Sequence, residues 1–426
     1  MINRESLFEN VLYLGVLQIF SYVFALFVYA YLVQIIGTEK CGLIFFVFSF
    51  IQYFIILCDY GFDLSATREI AINRHNKNNL SNIFSSVMVI KTIFLLLSFF
   101  ILSVFFLIDR FEKDKMLFLS SFGMVISSAL FPVWFFQGME KMKYIPFFKI
   151  TSQILFFTFI FIFVKRDSDF VYIPVLSSLC YLFFAILSLY FVFKKFKVKF
   201  YIPKYKSIKK QFVYSSEFFL SKVSLSLCSN TNTLCLGFVS GDMIVGLYVS
   251  AEKIYTALKS LWMPIHNAFF PYMTKTKDIK LYRKILKYGI LLNTLICILV
   301  YQYAEVIIKF FFGTQMLQSV EILRIFSIIQ FVTIPSIMLG YPLLGTTGGN
   351  KGCKIVNRSI LASTLFYSMG LFALYMNSQL NMYSVTYLIL LTEVFLFLYR
   401  FVYVIKYKFL KNENNYKDLC NETSSV

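Results

Sequence analysis

The stretch IFSSVMVIKTIFLLLSFFILSVFFLI, residues 83–108, contains one charged side chain, that of Lys91. An α-helix rises about 1.5 Å per residue, so this stretch is long enough to cross a hydrocarbon core of ~30 Å. Lys91 lies near the inner end, where we expect its long side chain to snorkel toward the interface. The stretch therefore predicts a transmembrane helix.

Comparable apolar stretches recur along the whole chain of 426 residues, which is 58% hydrophobic. The mean hydropathy of +0.71 is too high for a water-soluble fold. We predict an all-α polytopic membrane protein with twelve transmembrane helices. Besides 83–108, the predicted spans are 8–33, 42–64, 117–137, 147–164, 170–193, 213–239, 244–272, 288–309, 319–345, 355–377 and 381–405.

The connections between these stretches alternate in basic content. Of 41 Lys and Arg residues, 28 lie in one set of connections, which includes both termini, and 7 lie in the alternate set. Basic residues near membrane ends stay cytoplasmic, so both termini are predicted to face the cytoplasm. Anionic lipid headgroups account for the net charge of +19 without nucleic acid as a partner.

The remaining composition indicates neither an enzyme nor a cofactor site. The predicted outer loops are short, and the largest connection, 194–212, holds eight Lys and no acid. The chain has two His, no Cys/His cluster with metal-ligand spacing and no GxxxxGK[ST] nucleotide motif. Residues 8–33 form too long an apolar run for a signal-peptide core, so we interpret them as the first span.

A weak internal repeat suggests two lobes. The fourth and tenth predicted spans both end in aromatic-Pro-x5-Gly-x2-Lys, at Phe131–Lys141 and Tyr341–Lys351. Duplication of a six-helix unit would produce this offset, with substrate bound between the halves. The predicted organisation is an N-terminal lobe at 1–193, a basic linker at 194–212, a C-terminal lobe at 213–405 and a cytoplasmic tail at 406–426.

The eighth predicted span concentrates charge on one side. At 100° per residue its polar side chains, which include Glu252, Lys253, Lys259 and Asn267, fall within an arc of about 160°. Each charge turned toward lipid would cost ~2.5–3.5 kcal/mol, so this face is predicted to line water or substrate. The alternative is a set of salt bridges to neighbouring helices, with the Lys side chains snorkelling outward.

Other spans hold further polar side chains. Those of the seventh span are predicted to contact substrate or to form helix–helix hydrogen bonds, and those of the first suit sugar contacts or helix packing. Glu393 lies deep enough to carry a coupling ion or to make a helix contact, and Glu321 and Arg324 have the spacing of an intrahelical pair. Arg400 lies near the end of the last predicted span, 381–405, and we assign it no further role.

Three segments carry a family resemblance. DYGFDLSATREIA, residues 59–71, resembles the DFGF-x2-SATR-x-IA signature of Wzx-type flippases of O-antigen and capsule repeat units. PVWFFQGMEKM, residues 132–142, resembles their P-x-WFFQG-x-E-x-M segment, and residues 246–271 resemble their G-x-Y-x2-A-x-KI pattern with two later prolines. The aspartate and tyrosine at 59–60 depart from the usual signature, which leaves the role of Asp59 open.

The resemblance implies an exporter of the multidrug/oligosaccharidyl-lipid/polysaccharide superfamily, with two six-helix lobes around a cationic cavity. The implied cargo is undecaprenyl pyrophosphate carrying one oligosaccharide repeat unit, moved from the cytoplasmic to the periplasmic leaflet of the bacterial inner membrane. A polysaccharide polymerase and a chain-length regulator are possible partners, besides membrane lipids. The alternatives are a cation-coupled multidrug exporter and a membrane-embedded polymerase.

Residue types then suggest roles within such a transporter. Cationic side chains suit pyrophosphate, amides and hydroxyls suit a glycan, and buried carboxylates suit a coupling proton or sodium ion. The predicted pyrophosphate site is Lys253, Lys259, Lys222 and Arg324. The predicted glycan path is Gln18, Tyr22, Tyr29, Asn230, Asn232 and Asn267. Ion coupling is assigned to Glu217, Glu252 and Glu393, and a cytoplasmic gate to a pair of Asp63 with Arg68.

Overall fold

A computed structural model describes residues 4–263, 273 and 278–407, without the side chains of 4–14, 16–18, 217, 220–222, 224–230 and 350. The described residues form α-helices joined by short turns, with no β-strand among them. The helices are α1 Arg4–Asp59, α2 Phe62–Asn73, α3 Lys77–Phe105, α4 Asp109–Lys113, α5 Lys115–Leu130, α6 Val133–Gly138, α7 Tyr144–Phe163, α8 Tyr172–Phe196, α9 Tyr205–Val239, α10 Asp242–Ser260, α11 Ile279–Gln302, α12 Ala304–Phe312, α13 Val320–Met338, α14 Gly349–Met376 and α15 Met382–Lys406. Short 3₁₀ segments cover Asp167–Val171 and Thr314–Ser319, and a π-helical segment covers Leu339–Gly345.

Nine helical segments among the described residues are long and apolar enough to cross a membrane. The first, Ile19–Asn73, has 55 residues and includes Gly37, whose φ of 81° interrupts α1, so it covers both the first and the second predicted span. Helix α9 contains the seventh predicted span, and α10 covers residues 244–260 of the eighth, whose part at 264–272 lies outside the described residues. Both helices carry several charges. The all-α, multi-pass class is confirmed, and the count of twelve stays a prediction.

The chain divides into two compact units. The N-terminal unit is Leu32–Gly237, and the C-terminal unit combines Met1–Tyr31 with Phe238–Val426. These boundaries differ from those of the predicted lobes, since the first part of α1 counts with the C-terminal unit and α9 counts almost wholly with the N-terminal unit. The six-helix lobes, the linker and the tail stay predictions.

A sharp turn between α1 and α2 explains one motif. Tyr60 and Gly61 both have positive φ, 38° and 75°, which ends α1 and starts α2. A Cβ on Gly61 would also lie 2.8 Å from Phe218 Cβ and from the backbone nitrogen of Phe219. Glycine is therefore needed here for its backbone conformation and for the close approach of α9.

The first two motif segments pack against each other within the N-terminal unit. The Thr67 hydroxyl oxygen on α2 lies 3.2 Å from Trp134 O and 3.3 Å from Gln137 Oε1, both on α6, although its shortest contact is with Asp63 O at 2.6 Å within α2. A Cβ on Gly138 would lie 2.6 Å from Ile70 Cβ, so only glycine allows α6 to approach α2 this closely. The two signatures thus form one packed structure.

An ion pair lies at the solvent-exposed end of the contact between α2 and α6. Arg74 and Glu140 lie 2.7 Å apart, with side chains 28% and 57% exposed. The hydrogen bond from Arg74 holds the pKa of the Glu140 carboxyl below its usual value. Because both groups contact water, the pair contributes only about 0.2–1 kcal/mol.

The C-terminal unit includes contacts between distant parts of the chain. Tyr29 on α1 is 1% exposed and donates its hydroxyl hydrogen to Gly246 O on α10 at 2.7 Å. Its ring meets Phe312 edge-on, with centroids 5.4 Å apart. The third motif segment therefore begins at Gly246, whose carbonyl accepts a hydrogen bond from the first part of α1.

Candidate functional site

A helix break in the N-terminal unit lies at Pro132, between α5 and α6. Phe131 adopts an extended ψ of 112°, as expected before proline. Pro132 has no N–H to offer the carbonyl four residues earlier, that of Ser128. Lys91 on α3 donates to this carbonyl instead, with Nζ 3.3 Å from Ser128 O.

Lys91 also forms a buried ion pair. Its Nζ lies 3.0 Å from Asp59 Oδ1, and the two side chains are 2% and 19% exposed. Ser128 adds its hydroxyl, 3.5 Å from the same carboxylate oxygen. The prediction that Lys91 snorkels was wrong, because Asp59 and the carbonyl beside the proline break give its ammonium group partners inside the protein.

A cavity of about 390 Å³ lies beside this break. Its wall includes two carboxylates, those of Asp59 and Asp63, together with Lys149 and Gln153. The remaining wall is formed by serines and by apolar or aromatic side chains, among them Ser127, Ser128, Phe131, Phe148, Tyr181 and Phe184. The cavity lies wholly inside the N-terminal unit and combines polar groups with aromatic surface, as ligand pockets do.

The predicted pairing of Asp63 with Arg68 is not found. Arg68 is exposed, and its guanidinium donates to Tyr214 Oη at 2.7 Å, whereas Asp63 faces the cavity. The two residues are five positions apart on one helix, which directs their side chains to different sides. Their role as a cytoplasmic gate stays a prediction.

The C-terminal unit contains part of the predicted cationic site. Lys259 Nζ lies 3.4 Å from Tyr255 Oη and 5.4 Å from the centre of that ring. Tyr255 in turn lies 3.5 Å from Thr333 Oγ1 on α13 and stacks on Phe326. Glu393 on α15 and Tyr22 on α1 are close enough to interact electrostatically with Lys259.

The charged residues of α10 are partly buried. Glu252, Lys253 and Lys259 are neither fully buried nor exposed, and Leu261 is 43% exposed. Ile254 of the same helix is buried at 5% exposure. The assignment of these charged residues to pyrophosphate and ion binding stays a prediction.

Sequence reasoning missed Arg400, which is 6% exposed within α15. Its guanidinium donates to Ser336 O at 2.8 Å and to Ser359 Oγ at 3.1 Å. Glu393 also interacts with it electrostatically. The spacing of seven between Glu393 and Arg400 puts both on one helix face, and this signal could have identified Arg400.

Arg324 lies in a different setting from Lys253 and Lys259. It pairs with Glu321 one turn earlier, which confirms the predicted intrahelical pair. Its guanidinium carbon also lies 5.7 Å from the centre of the Tyr301 ring. Its charge therefore already has a carboxylate and an aromatic ring as partners, and its place in the pyrophosphate site stays a prediction.

The predicted glycan path is only partly described. Tyr22 is 42% exposed, Asn232 is 2% exposed, and Tyr29 is buried against α10. The buried residues fit the helix-packing alternative better than sugar contact. The side chains of Gln18, Glu217, Lys222, Asn230 and Asn267 lie outside the described residues.

Comparison with known sequences indicates a family. The profile of a family described as "Polysaccharide biosynthesis protein" matches residues 7–277. The chain is 27% identical over 356 residues to a protein of Escherichia coli (strain K12) named "Putative O-antigen transporter", covering 82% of this chain and 86% of that protein. A protein of Shigella dysenteriae with the same name is 27% identical over 285 residues, which is 66% of this chain and 71% of that protein.

Comparison with solved structures indicates the fold. An inward-facing multidrug resistance MATE family transporter of the MOP superfamily superposes with a TM-score of 0.66 at 15% identity, over 92% of this chain and 96% of that one. An outward-facing transporter of the same description gives 0.61 at 13% identity, over 99% and 97%. At these identities the similarity shows a shared fold and nothing about role or cargo.

Proposed function

We propose that this chain, which belongs to the polysaccharide biosynthesis protein family, is a flippase for undecaprenyl-pyrophosphate-linked repeat units of O-antigen or capsule. The family match and the O-antigen transporter relatives carry the proposal, and they bear out the resemblance found in the three sequence motifs. The MATE-like fold supports transport rather than an enzyme reaction. The cargo would move from the cytoplasmic to the periplasmic leaflet of the inner membrane, with both termini in the cytoplasm.

The pyrophosphate is the part of this cargo that needs cations. Lys253 and Lys259, both on α10 and partly buried, are the groups that we assign to it. Ammonium groups removed from water bind a compact anion more strongly than exposed ones, because less solvent screens the charges. Lys222 and Arg324 are the next candidates.

We further propose ion-coupled alternating access. Glu393 interacts with Lys259 and Arg400, so loading a proton or sodium ion on this carboxylate would increase the local positive field. Glu252, adjacent to Lys253, and Glu217 are the other candidates. Binding that removes a buried charge can favour one conformation over another, which is the requirement for coupling.

Substitution of the lysines tests the anion site. Gln at Lys253 or at Lys259 is expected to lower surface polysaccharide by more than about tenfold at normal protein level, because the pyrophosphate loses a partner. Arg should retain more activity than Gln, since it keeps the charge. Lys284→Gln, on an exposed position of α11, is the matched control.

The lipid-linked intermediate distinguishes the flippase from a polymerase. Cells without the protein should accumulate single repeat units that face the cytoplasm, and wild-type protein should remove them. Accumulation on the periplasmic side would contradict the proposal. Normal export by both Gln variants would place the cationic site elsewhere.

Reporter fusions and ion gradients test the remaining parts. Fusions after Asp114 and Gly241 should report the periplasm, and fusions after Lys204 and Lys280 the cytoplasm. In vesicles loaded with lipid-linked substrate, a proton or sodium gradient should speed translocation, and Glu252→Gln or Glu393→Gln should abolish that response. Equal rates with and without both gradients would contradict the coupling.

A further inference from the structure

We propose that the cavity of the N-terminal unit, beside the Pro132 break, binds one uncharged sugar residue of the transported repeat unit. This inference rests on the proposed function, because that function supplies a glycan as cargo. It assigns sugar binding to Asp59, Asp63, Gln153 and their neighbours rather than to the glycan path predicted from the first, seventh and eighth spans.

The balance of charge indicates an uncharged ligand. The carboxylate of Asp59 is paired with the buried ammonium of Lys91 at 3.0 Å. The second carboxylate, that of Asp63, lines the same cavity as Lys149. Among the side chains that the structure describes at this cavity, two carboxylates and two ammonium groups balance, so neither a pyrophosphate nor a lone cation would gain enough attraction from them to offset its loss of hydration.

The polar groups match hydroxyls in number and kind. Carboxylate oxygens accept hydrogen bonds, the ammonium of Lys149 donates them, and the amide of Gln153 does both. The wall also includes Ser127 and Ser128, whose hydroxyls can donate or accept. A sugar presents several hydroxyls that act as donors and acceptors at once, and few other neutral ligands do.

Aromatic surface supplies the other half of sugar recognition. Phe148 is 3% exposed and Phe184 is 8% exposed, and both line the cavity with Tyr181. The C–H face of a pyranose ring packs on such surfaces and removes apolar area from water. A purely polar ion site would not require these rings.

The size of the cavity limits the ligand. Its volume of about 390 Å³ lies near the lower end of the range of ~300–1,000 Å³ for small-molecule sites. One sugar residue fits such a space with a few water molecules, whereas a complete repeat unit does not. We therefore expect recognition of one residue and tolerance of variation in the others.

Ligand-observed NMR on the full-length protein in nanodiscs tests the site. The probes are methyl glycosides of the component sugars of the surface polysaccharide made by the strain that carries the gene, each at millimolar concentration. At least one is expected to show saturation transfer from the wild-type protein. Absence of saturation transfer from every glycoside would overturn the inference.

Two variants and a control locate the binding. Gln153→Ala removes the amide, and Phe148→Leu removes an aromatic face, so each is expected to raise the Kd for the bound glycoside about tenfold, the effect of losing about 1.4 kcal/mol. Thr151→Ala changes a residue of α7 outside the cavity, whose hydroxyl donates to Phe147 O, and should bind like wild type. Thermal unfolding and gel filtration establish that each variant is folded. A Kd unchanged in both cavity variants would overturn the inference.

Failure of the two proposals can be told apart. Translocation of lipid-linked repeat units by the wild-type protein in vesicles tests the flippase function alone. If the wild type translocates them while Gln153→Ala and Phe148→Leu retain the wild-type Kd, only the sugar site is wrong. If the wild type does not translocate them, the proposed function is wrong whatever the NMR result.

Discussion

The helices at Pro132 in the N-terminal unit and at Pro342 in the C-terminal unit both receive a side-chain hydrogen bond near the proline, but the two donors differ in charge. Each proline lacks the N–H that would bond the carbonyl four residues earlier, Ser128 O or Met338 O. Lys91 donates to the first at 3.3 Å, and the Tyr282 hydroxyl donates to the second at 3.0 Å. Both donors are almost completely buried.

The surroundings of the two breaks differ. Lys91 brings a charge and a carboxylate partner, and the Pro132 break lines a polar cavity. Tyr282 is neutral and belongs to a hydrophobic cluster with Leu339, Leu343 and Val404. A proline thus interrupts the helical hydrogen bonding in each unit, while the neighbouring helices decide whether a polar cavity or a hydrophobic core forms beside it.

The largest expected effect is that of removing the cation in the N-terminal unit. Lys91→Met removes the buried ammonium that pairs with the part-buried carboxylate of Asp59 and donates to Ser128 O, and should cost about 3 kcal/mol of stability, the lower end for breaking such a pair. Thermal unfolding in detergent should show a large fall in Tm relative to Lys77→Met, an exposed position at the start of α3. Adding Asp59→Leu should restore part of the loss. An equal Tm for the two single variants would contradict the role of the pair.

A smaller effect is expected at the buried cation of the C-terminal unit. Arg400→Met leaves the carbonyl and hydroxyl groups of Ser336 and Ser359 without this donor, at about 1–3 kcal/mol. No carboxylate among the described side chains forms an ion pair with Arg400 within 4.0 Å, so none loses a close partner. Lys406→Met at the end of the same helix is the control. A loss larger than that of Lys91→Met would reverse the comparison.

Removing the Tyr282 hydroxyl tests the uncharged donor, which bonds Met338 O near Pro342. Tyr282→Phe keeps the ring in the hydrophobic cluster and removes one hydrogen bond, so the expected loss is about 0.5–1.5 kcal/mol. Tyr288→Phe, on the same helix and 58% exposed, should change the Tm little. Equal Tm values for Tyr282→Phe and wild type would mean that Met338 O does not depend on this donor.

The smallest expected effect is a pH-dependent change in Tm at Glu140, which lies in the first of the two similar proline segments. Glu140→Gln breaks the pair with Arg74, at about 0.2–1 kcal/mol. Because the pKa of Glu140 is lowered, the stability is present above its usual pKa of 4.5 and is lost as pH falls through the lowered value. The Tm of Glu140→Gln should therefore lie slightly below that of the wild type at pH 7 and should equal it in acid, where the wild-type carboxylate is protonated. The residue 210 positions later is Asn350, which cannot titrate, and Glu112→Gln is the exposed control.

The sequence by itself located most of the long apolar helices and identified the family. Hydropathy is a local property, so the predicted span 83–108 lies almost wholly within α3, Lys77–Phe105, and 381–405 within one residue of α15. Local spacing likewise identified the Glu321–Arg324 pair, because residues three apart meet on any helix. Motif residues identified the family, and two of their glycines have physical roles: Gly61 adopts a positive φ, and Gly138 allows α6 to approach α2 closely.

Only the tertiary structure decided which buried groups meet. Lys91 and Asp59 are 32 residues apart and Tyr282 and Met338 are 56 apart, and no periodicity relates them. A helical pattern predicts the face on which a side chain lies but not the neighbouring helix that this face contacts. Lys91 therefore looked like a snorkelling lysine and Arg400 like a span end until packing gave each its partners. The cavity has the same origin, since its wall is assembled from α1, α2, α5, α6, α7 and α8 together with the Pro132 break.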